Sequence, residues 1–114
     1  MNTKEIGDQG EKYAKKYLKK NSYKILETNY KNKLGEIDII CFDKKEKELV
    51  FVEVKAKNSD FFGLPREMVD ERKQEKIHKV ATTYLLSHKL METDFRFDVI
   101  EILCGNITHI KRAF

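Results

Sequence analysis

Two short apolar runs of this sequence carry acidic residues where a strand normally carries neutral ones. Asp38 lies in the run from residue 35 to residue 40, and Glu53 lies in the run from residue 50 to residue 55, which ends with Lys55. The β-branched residues around them predict two strands, in which charged groups are costly unless they have partners or a use. Two carboxylates beside an amine are suited to holding a divalent cation against a phosphate ester.

The period of a strand determines which of these side chains lie together. Successive side chains point to opposite faces, so residues of equal parity share a face. Glu36 and Asp38 therefore share one face of the first strand, and Glu53, Lys55 and Lys57 share one face of the second. Each strand presents its charged groups on a single side.

Pairing of the two strands as an antiparallel hairpin would bring the acids together. With Asp38 opposite Glu53, Phe42 falls opposite Leu49, and residues 44–47 form a short polar turn. Facing carboxylates have Cβ atoms about 5 Å apart and repel each other. A divalent cation between them would remove that repulsion.

The ligand set predicted for this cation is small. Asp38 and Glu53 would hold Mg²⁺ or Mn²⁺, with the Val54 carbonyl oxygen as a further ligand, and water and phosphate oxygens would take the remaining positions. Lys55 would orient the attacking water and stabilise the developing negative charge. Its use as a general base is disfavoured, because flanking carboxylates favour the protonated ammonium. Glu36, about 6.7 Å from Asp38 along the strand, suits a supporting role or a second metal.

These runs carry a resemblance to a known family. Gly-Glu-Ile-Asp at residues 35–38, followed by Val-Phe-Val-Glu-Val-Lys at residues 50–55, resembles the PD-(D/E)XK nuclease core and most closely the YraN-type family of predicted endonuclease-like proteins. The sequence is also similar, more distantly, to archaeal Holliday junction resolvases. The resemblance extends from Gly10-Glu11 to Phe97-Asp98-Val99. Ile37 replaces the proline of the general superfamily motif, and this replacement is usual in the YraN type.

The resemblance implies a fold and two further site residues. The fold would be α/β (α+β), a restriction-endonuclease-like core with a central mixed five-stranded sheet flanked by two main helices. Glu11 matches a glutamate that joins the active site in related families, although an ordinary surface glutamate is an equal alternative. Lys73 matches a lysine that contacts phosphate or supports the site, and snorkelling to water is its alternative. For Asp98, charge balancing or capping is favoured over catalysis.

The elements that must position these residues follow from periodicity and capping signals. The first helix carries Gly7 and Gly10, which suggest a close approach of either the neighbouring sheet, which is favoured, or a nucleic-acid strand. The second helix begins at Asp70. The final hairpin turns at Gly105-Asn106. The predicted elements are a helix over residues 2–20 capped by Asn2, strands over 23–30, 35–43, 48–57, 95–103 and 106–112, a loop over 58–65 containing Phe61 and Phe62, and a helix over 70–89.

Composition bounds the class of protein. The 114 residues predict one domain spanning residues 1–114, which the resemblance implies is nuclease-like, and no apolar run is long enough for a membrane span. Cys41 and Cys104 fall within predicted strands and read as buried thiols of a reducing compartment, so we expect a cytoplasmic protein without membrane contact. The net charge of +4 is concentrated in the two helices, where Arg72 and Lys73 begin the second, and suits a polyanionic substrate.

The sequence therefore predicts a Mg²⁺- or Mn²⁺-dependent deoxyribonuclease, with branched or junction DNA among its candidate substrates. Asp38, Glu53, Lys55, Glu11 and Glu36 are the candidate catalytic residues. A homodimer is inherited from the resolvase resemblance. The alternatives are an inactive nucleic-acid-binding module of the same fold and a protein-interaction domain. The candidate nucleic-acid contacts are Lys73, Arg72 and Lys57, and the candidate metal ligands are Asp38, Glu53 and Val54.

Overall fold

A computed structural model describes residues 3–57 and 69–114. The proposed cap Asn2 and the predicted loop with Phe61 and Phe62 lie outside the described residues. The elements in the described part are α1 (Thr3–Lys20), β1 (Tyr23–Asn32), β2 (Gly35–Asp43), β3 (Glu48–Lys57), α2 (Glu71–Ser87), β4 (Phe95–Leu103) and β5 (Asn106–Ile110).

The strands form one mixed sheet in the order β1-β2-β3-β4-β5. β3 and β4 are parallel, and the other neighbouring pairs are antiparallel. Parallel neighbours need a long crossover, and α2 lies in the chain between these two strands. The predicted α+β fold, a mixed five-stranded sheet with two helices, is confirmed.

Each helix covers one face of the sheet. Val80 of α2 packs in a cluster with Ile40 and Phe51. Leu18 of α1 packs in a second cluster with Ile39, the immediate neighbour of Ile40. The alternation follows from the period of a strand. Because β2 and β3 have apolar groups on both faces, their sequences are almost continuously apolar, and charged residues on them stand out.

Helix α2 begins where the sequence predicts. The Asp70 side chain accepts a hydrogen bond from the Lys73 backbone N–H at 2.9 Å, as an N-cap does. The helix ends at Ser87, before the predicted limit of Lys89, which has a φ of +56°. Neither described helix is both long and apolar enough to cross a membrane.

Gly10 marks the contact between α1 and β3. A Cβ at Gly10 would lie 2.5 Å from the Cβ of Ala56, so only glycine allows this approach. The prediction that a neighbouring sheet explains the glycine is confirmed there. It is wrong for Gly7, where a Cβ would meet nothing within 4 Å.

The two cysteines differ in their surroundings. Cys41 is fully buried in β2, and burial raises the pKa of its thiol to about 12. The prediction that Cys104 is buried in a strand is wrong, because it is exposed and lies in the turn that joins β4 to β5. Its φ of +50° is a turn conformation rather than an extended one.

A buried polar network joins β4 to the turn between β2 and β3. Arg96, which is 4% exposed, donates hydrogen bonds from Nη1 to Asp43 at 3.0 Å and to Glu48 at 2.9 Å. Its Nε lies 3.0 Å from a carboxylate oxygen of Asp98, and its Nη2 donates to the Tyr23 hydroxyl at 2.8 Å. The guanidinium thus has acceptors on every side, as a buried charge requires.

Asp98 receives further hydrogen bonds from the end of the chain. Nε2 of His109 lies 2.7 Å from one carboxylate oxygen, and the Arg112 backbone N–H donates to the other at 3.1 Å. Burial alone would raise the pKa of Asp98, but the bonds from His109 and Arg96 outweigh it and hold the pKa below its usual value. Asp98 therefore balances the charge of Arg96, as expected from the sequence.

Replacing Gly10 by alanine should lower the free energy of unfolding by about 1–3 kcal/mol, because the new methyl overpacks the contact with Ala56. Gly7→Ala is the matched control in the same helix. It should raise stability by about 0.5–1 kcal/mol, because alanine has the higher helix propensity and open space surrounds it. Urea unfolding measures both, and equal effects of the two substitutions would contradict the close approach.

Replacing Asp98 by asparagine should lower the free energy of unfolding at pH 7 by about 2–3 kcal/mol, because hydrogen bonds to charged partners are lost. The depressed pKa of Asp98 means that its contribution is present above the unfolded pKa of about 3.9 and is lost as pH falls through the folded value. The difference between the two proteins should shrink on acidification. A difference that stays constant from pH 7 to pH 3 in urea unfolding would count against this role.

Candidate active site

The candidate site begins where the pairing of β2 with β3 ends. The two strands pair from Asp43 with Glu48 to Ile39 with Val52, and the predicted pairing of Phe42 with Leu49 is confirmed. One position further along both strands stand Asp38 and Glu53.

At this point the Asp38 side chain, rather than the backbone of β2, makes the hydrogen bond to β3. Its Oδ2 accepts a hydrogen bond from the Val54 backbone N–H at 2.8 Å. Because a side chain takes that amide, the Asp38 carboxylate is fixed beside β3. Glu53 and Lys55 flank Val54 on that strand, so one backbone contact holds the predicted residues in one place.

A cavity of about 280 Å³ opens at this end of the two strands. It brings together four residues predicted from the sequence, which are Glu36 and Asp38 from β2, Glu53 from β3 and Lys73 from α2. α2 closes the other side. The lining residues are Gly35, Glu36, Asp38, Glu53, Lys73, Lys76 and Ile77.

Glu53 is the buried acid of the site. It is 5% exposed, and its Oε1 lies 3.2 Å from Nζ of Lys73. Its Oε2 is buried and has no hydrogen-bond partner in the described structure. Burial, together with the nearby charge of Asp38, raises the pKa of Glu53 to about 7. Near neutral pH this carboxyl is thus poised between its two protonation states, and a hydrogen bond with the Asp38 side chain favours its protonated form.

Lys55 is the group whose behaviour the sequence argument misjudged. Burial, followed by the hydrogen bond and the charge of Lys73, lowers the pKa of Lys55 to about 8. Attraction to Glu53 and Asp38 acts in the opposite direction and is weaker. The two carboxylates oppose a lowered pKa, as expected, but burial and the second ammonium brought by α2, whose effect on Lys55 the sequence did not indicate, outweigh them.

Lys73 is that second ammonium. Burial opposes its charge, but the hydrogen bond to Lys55 and the attraction of Glu53 raise its pKa above the usual value. Of the two roles left open by the sequence, the structure favours support of the site over snorkelling alone. Lys76, one helical turn further on, also lines the cavity and was missed, although its spacing from Lys73 could have indicated it.

Glu11 reaches the site from α1. Burial and the charges of Asp38 and Glu36 raise the pKa of Glu11, and a hydrogen bond with the Asn29 side chain partly offsets them. Asn29 was not foreseen. It has a φ of +52° in β1, and asparagine is uncommon inside strands but tolerates this conformation, which is the one signal that could have indicated it.

The two other predicted nucleic-acid contacts lie apart from this cavity. Arg72 is exposed in the first turn of α2, next to Lys73 in the chain. Lys57, at the end of β3, lines a different cavity against α1, together with Gly10 and Lys16. The structure therefore does not bring Lys57 together with Glu53, although the two have the same parity.

The donors present fit a divalent cation that retains water. Within residues 3–57 and 69–114, no group of three or more His, Cys, Asp or Glu side chains is arranged to hold a metal ion. Mg²⁺ typically uses one or two carboxylates and fills its remaining positions with water and phosphate oxygens. Asp38 and Glu53 meet that need, and the unpartnered Oε2 of Glu53 is an available donor.

Comparison with known proteins places almost the whole chain in one family. The sequence model of the uncharacterised protein family UPF0102 matches residues 10–102. A UPF0102 protein of Clostridium beijerinckii is 50% identical over 97% of this chain and 94% of its own length. A UPF0102 protein of Clostridioides difficile is 50% identical over 100% of both chains, and one of Alkaliphilus metalliredigens is 44% identical over 98% of this chain and 99% of its own. The chain therefore belongs to the UPF0102 family, the YraN-type family that its sequence resembles.

Proposed function

We propose that this protein is a metal-dependent endonuclease that hydrolyses phosphodiester bonds in DNA. The observation that carries the proposal is the convergence of Asp38, Glu53 and Lys55 at one end of two neighbouring strands. There a buried carboxylate oxygen is left unpartnered, and an amine has a lowered pKa. Perturbed groups of opposite charge in a cavity are typical of active sites.

Asp38 and Glu53 would hold Mg²⁺ or Mn²⁺, with the Val54 carbonyl oxygen as a further ligand. When bound, such a cation supplies positive charge that polarises the scissile phosphate and activates water. It also relieves the repulsion between the two carboxylates, which the Asp38 contribution to the raised pKa of Glu53 reflects. Glu11 and Glu36 would support these ligands without binding the same cation. The charges of Asp38 and Glu36 act on Glu11, and Glu36 lines the same cavity as Asp38 and Glu53.

Lys55 would hold the attacking water at its Nζ. With a pKa of about 8, a useful fraction of this amine is neutral near physiological pH and can accept a proton from that water. Lys73 remains charged and would stabilise the negative charge that develops on the phosphate. The two lysines thus divide the roles of base and electrostatic support.

A DNA substrate agrees with the charge around the cavity. Lys73 and Lys76 line it, whereas Arg72, next to Lys73 in the chain, is exposed outside it. Basic groups around an acidic pocket attract a phosphate backbone while a cation neutralises the acids.

Branched DNA and a homodimer follow from the resolvase resemblance, and the cytoplasm is the compartment where such a substrate and free cysteines coexist.

A catalytically inactive nucleic-acid-binding module of the same fold is the second candidate. The ion pair between Lys73 and Glu53 at 3.2 Å favours it, since an ammonium already neutralises one acid. In such a module the charged groups would form a structural cluster, and no divalent cation would be needed. DNA cleavage and the effect of Mg²⁺ on the melting temperature separate the two candidates.

Lys55→Ala should lower the rate of DNA cleavage at least about 100-fold, because a positioned proton acceptor contributes on that scale. Asp38→Asn should do the same by removing a ligand charge. Lys44→Ala, an exposed lysine in the turn at the far end of the hairpin, is the matched control. The assay uses linear, nicked, flapped and four-way DNAs with Mg²⁺ or Mn²⁺. No cleavage by the unmodified protein, or equal cleavage by Lys55→Ala, would refute the mechanism.

Glu53→Gln should stabilise the metal-free protein at pH 8 by about 2–3 kcal/mol. The pKa of Glu53 is raised to about 7, so the stability supplied by its protonated form is present below about pH 4.5 and is lost as pH rises through 7. Glutamine has no proton to lose. The measurement is thermal unfolding in EDTA from pH 5 to pH 8.

Adding Mg²⁺ at pH 8 should raise the melting temperature of the unmodified protein but not of Glu53→Gln, because only the ionised carboxylate is a good ligand. Glu92→Gln, at an exposed glutamate, controls for the loss of one charge. An equal shift of all three proteins would mean that the cation binds elsewhere and would favour the inactive module.

A further inference from the structure

A second and larger cavity lies on the other side of the sheet. It is an open groove of about 400 Å³ between α1, the end of β3 and the turn that follows β4. Ala56 and Ile102 contribute apolar groups, and Gly10 brings the helix down onto Ala56. The remaining lining includes Lys12, Tyr13, Lys16, Lys57 and Gly105. We call this cavity the α1 groove.

The α1 groove combines cations with an accessible aromatic ring. Lys12 and Lys16 are exposed, and Tyr13 between them is 46% exposed. Tyr17, one turn further along the helix, is by contrast hydrogen-bonded to His109 at 2.9 Å and serves the packing of the sheet. Tyr13 therefore offers a ring face to a ligand, on a surface where the helix presents positive charge.

This combination fits one class of polyanion better than others. Proteins that bind single-stranded nucleic acid pair a basic groove, which follows the backbone, with aromatic rings on which unpaired bases stack. In a duplex the bases are stacked on each other, so a ring such as that of Tyr13 would gain nothing from it. The apolar floor of Ala56 and Ile102 also suits a base rather than a phosphate.

One residue next to the α1 groove carries a charge that acts on the candidate active site. Gly10, in the groove, precedes Glu11, whose pKa responds to the charge of Asp38. Ala56, on the floor, follows Lys55. Ala56 and Lys55 point to opposite faces of β3, so a strand bound in the groove would approach the two acids on the α1 side, past Glu11.

We propose that the α1 groove binds an unpaired strand of nucleic acid, with Tyr13 stacking on a base and Lys12 and Lys16 contacting the backbone. The substrate class that follows is DNA with a single-stranded segment next to the scissile bond, such as a flap. This last step rests on the proposed nuclease function, whereas binding to the groove does not.

The test of binding uses a fluorescein-labelled oligothymidylate in EDTA, so that no cleavage is involved. Anisotropy should report binding to the unmodified protein. Tyr13→Ala should weaken it about 10-fold, which is the effect of losing one stacked base. Tyr13→Phe keeps the ring and should retain the affinity. Alanine at this exposed helical position preserves the fold, which thermal unfolding verifies.

The lysines are tested through the salt dependence of the same binding. Lys12→Gln with Lys16→Gln should make the slope of log affinity against log salt less negative by about 1.4, because each single-strand phosphate contact contributes about 0.7. Lys19→Gln with Lys20→Gln is the matched control, with the same charge change on exposed lysines of the same helix. It should leave the slope nearly unchanged.

Three results would overturn the groove proposal. They are no binding of oligothymidylate, equal binding by Tyr13→Ala and the unmodified protein, and equal slopes for the two double variants. Vesicles containing anionic phospholipid serve as a competing probe, and vesicle binding without oligothymidylate binding would assign the groove to a membrane surface instead.

Cleavage separates this proposal from the nuclease proposal. If the groove binds as expected but no DNA is cleaved, the nuclease function fails and the groove remains a single-strand site. If cleavage depends on Asp38 but ignores Tyr13, the flap substrate is ruled out, and the anisotropy test alone decides whether the groove binds a single strand. If both hold, the unmodified protein should cleave flapped DNA faster than blunt duplex, and Tyr13→Ala should remove that preference.

Discussion

Burial of the Glu53 carboxylate beside Asp38 is the constraint around which the rest of the site is built. Two acids at the end of a strand pair repel each other, and burial removes the water that would screen them. Two ammonium groups, rather than a greater separation of the acids, offset this repulsion. Lys55 comes from the same strand, and Lys73 comes from α2. The raised pKa of Glu53 shows that this compensation is incomplete.

The two ends of the sheet treat buried charge in opposite ways. Around Arg96, hydrogen bonds hold the pKa values of Asp98 and Asp43 below their usual range. Both carboxylates therefore stay ionised and hydrogen-bonded. At the other end, the pKa of Glu53 is raised and one of its oxygens has no partner in the described structure. A satisfied network stabilises a fold, whereas an unsatisfied one marks a place where a ligand is expected.

The sequence predicted those features that local periodicity and capping determine. Strand parity placed Asp38 near Glu53, the pairing of Phe42 with Leu49 followed from it, and Asp70 was recognised as a cap. Features that depend on tertiary docking were missed or misjudged. The pKa of Lys55 depends on how closely α2 approaches, which no local pattern encodes. The contacts of Arg96 likewise need the parallel pairing of β3 with β4, which is a long-range property.

The ion pair between Lys73 and Glu53 bears on the choice between enzyme and inactive module. Lys73 does lower the pKa of Glu53, but burial and the charge of Asp38 act more strongly, so this pKa is raised, unlike those of the acids around Arg96. The charge of Lys73 also disfavours the protonated form of Lys55. Lys73 thus interacts with both groups that the proposed mechanism uses, so an enzyme would use it as a second cation, whereas an inactive module would need only its ion pair with Glu53.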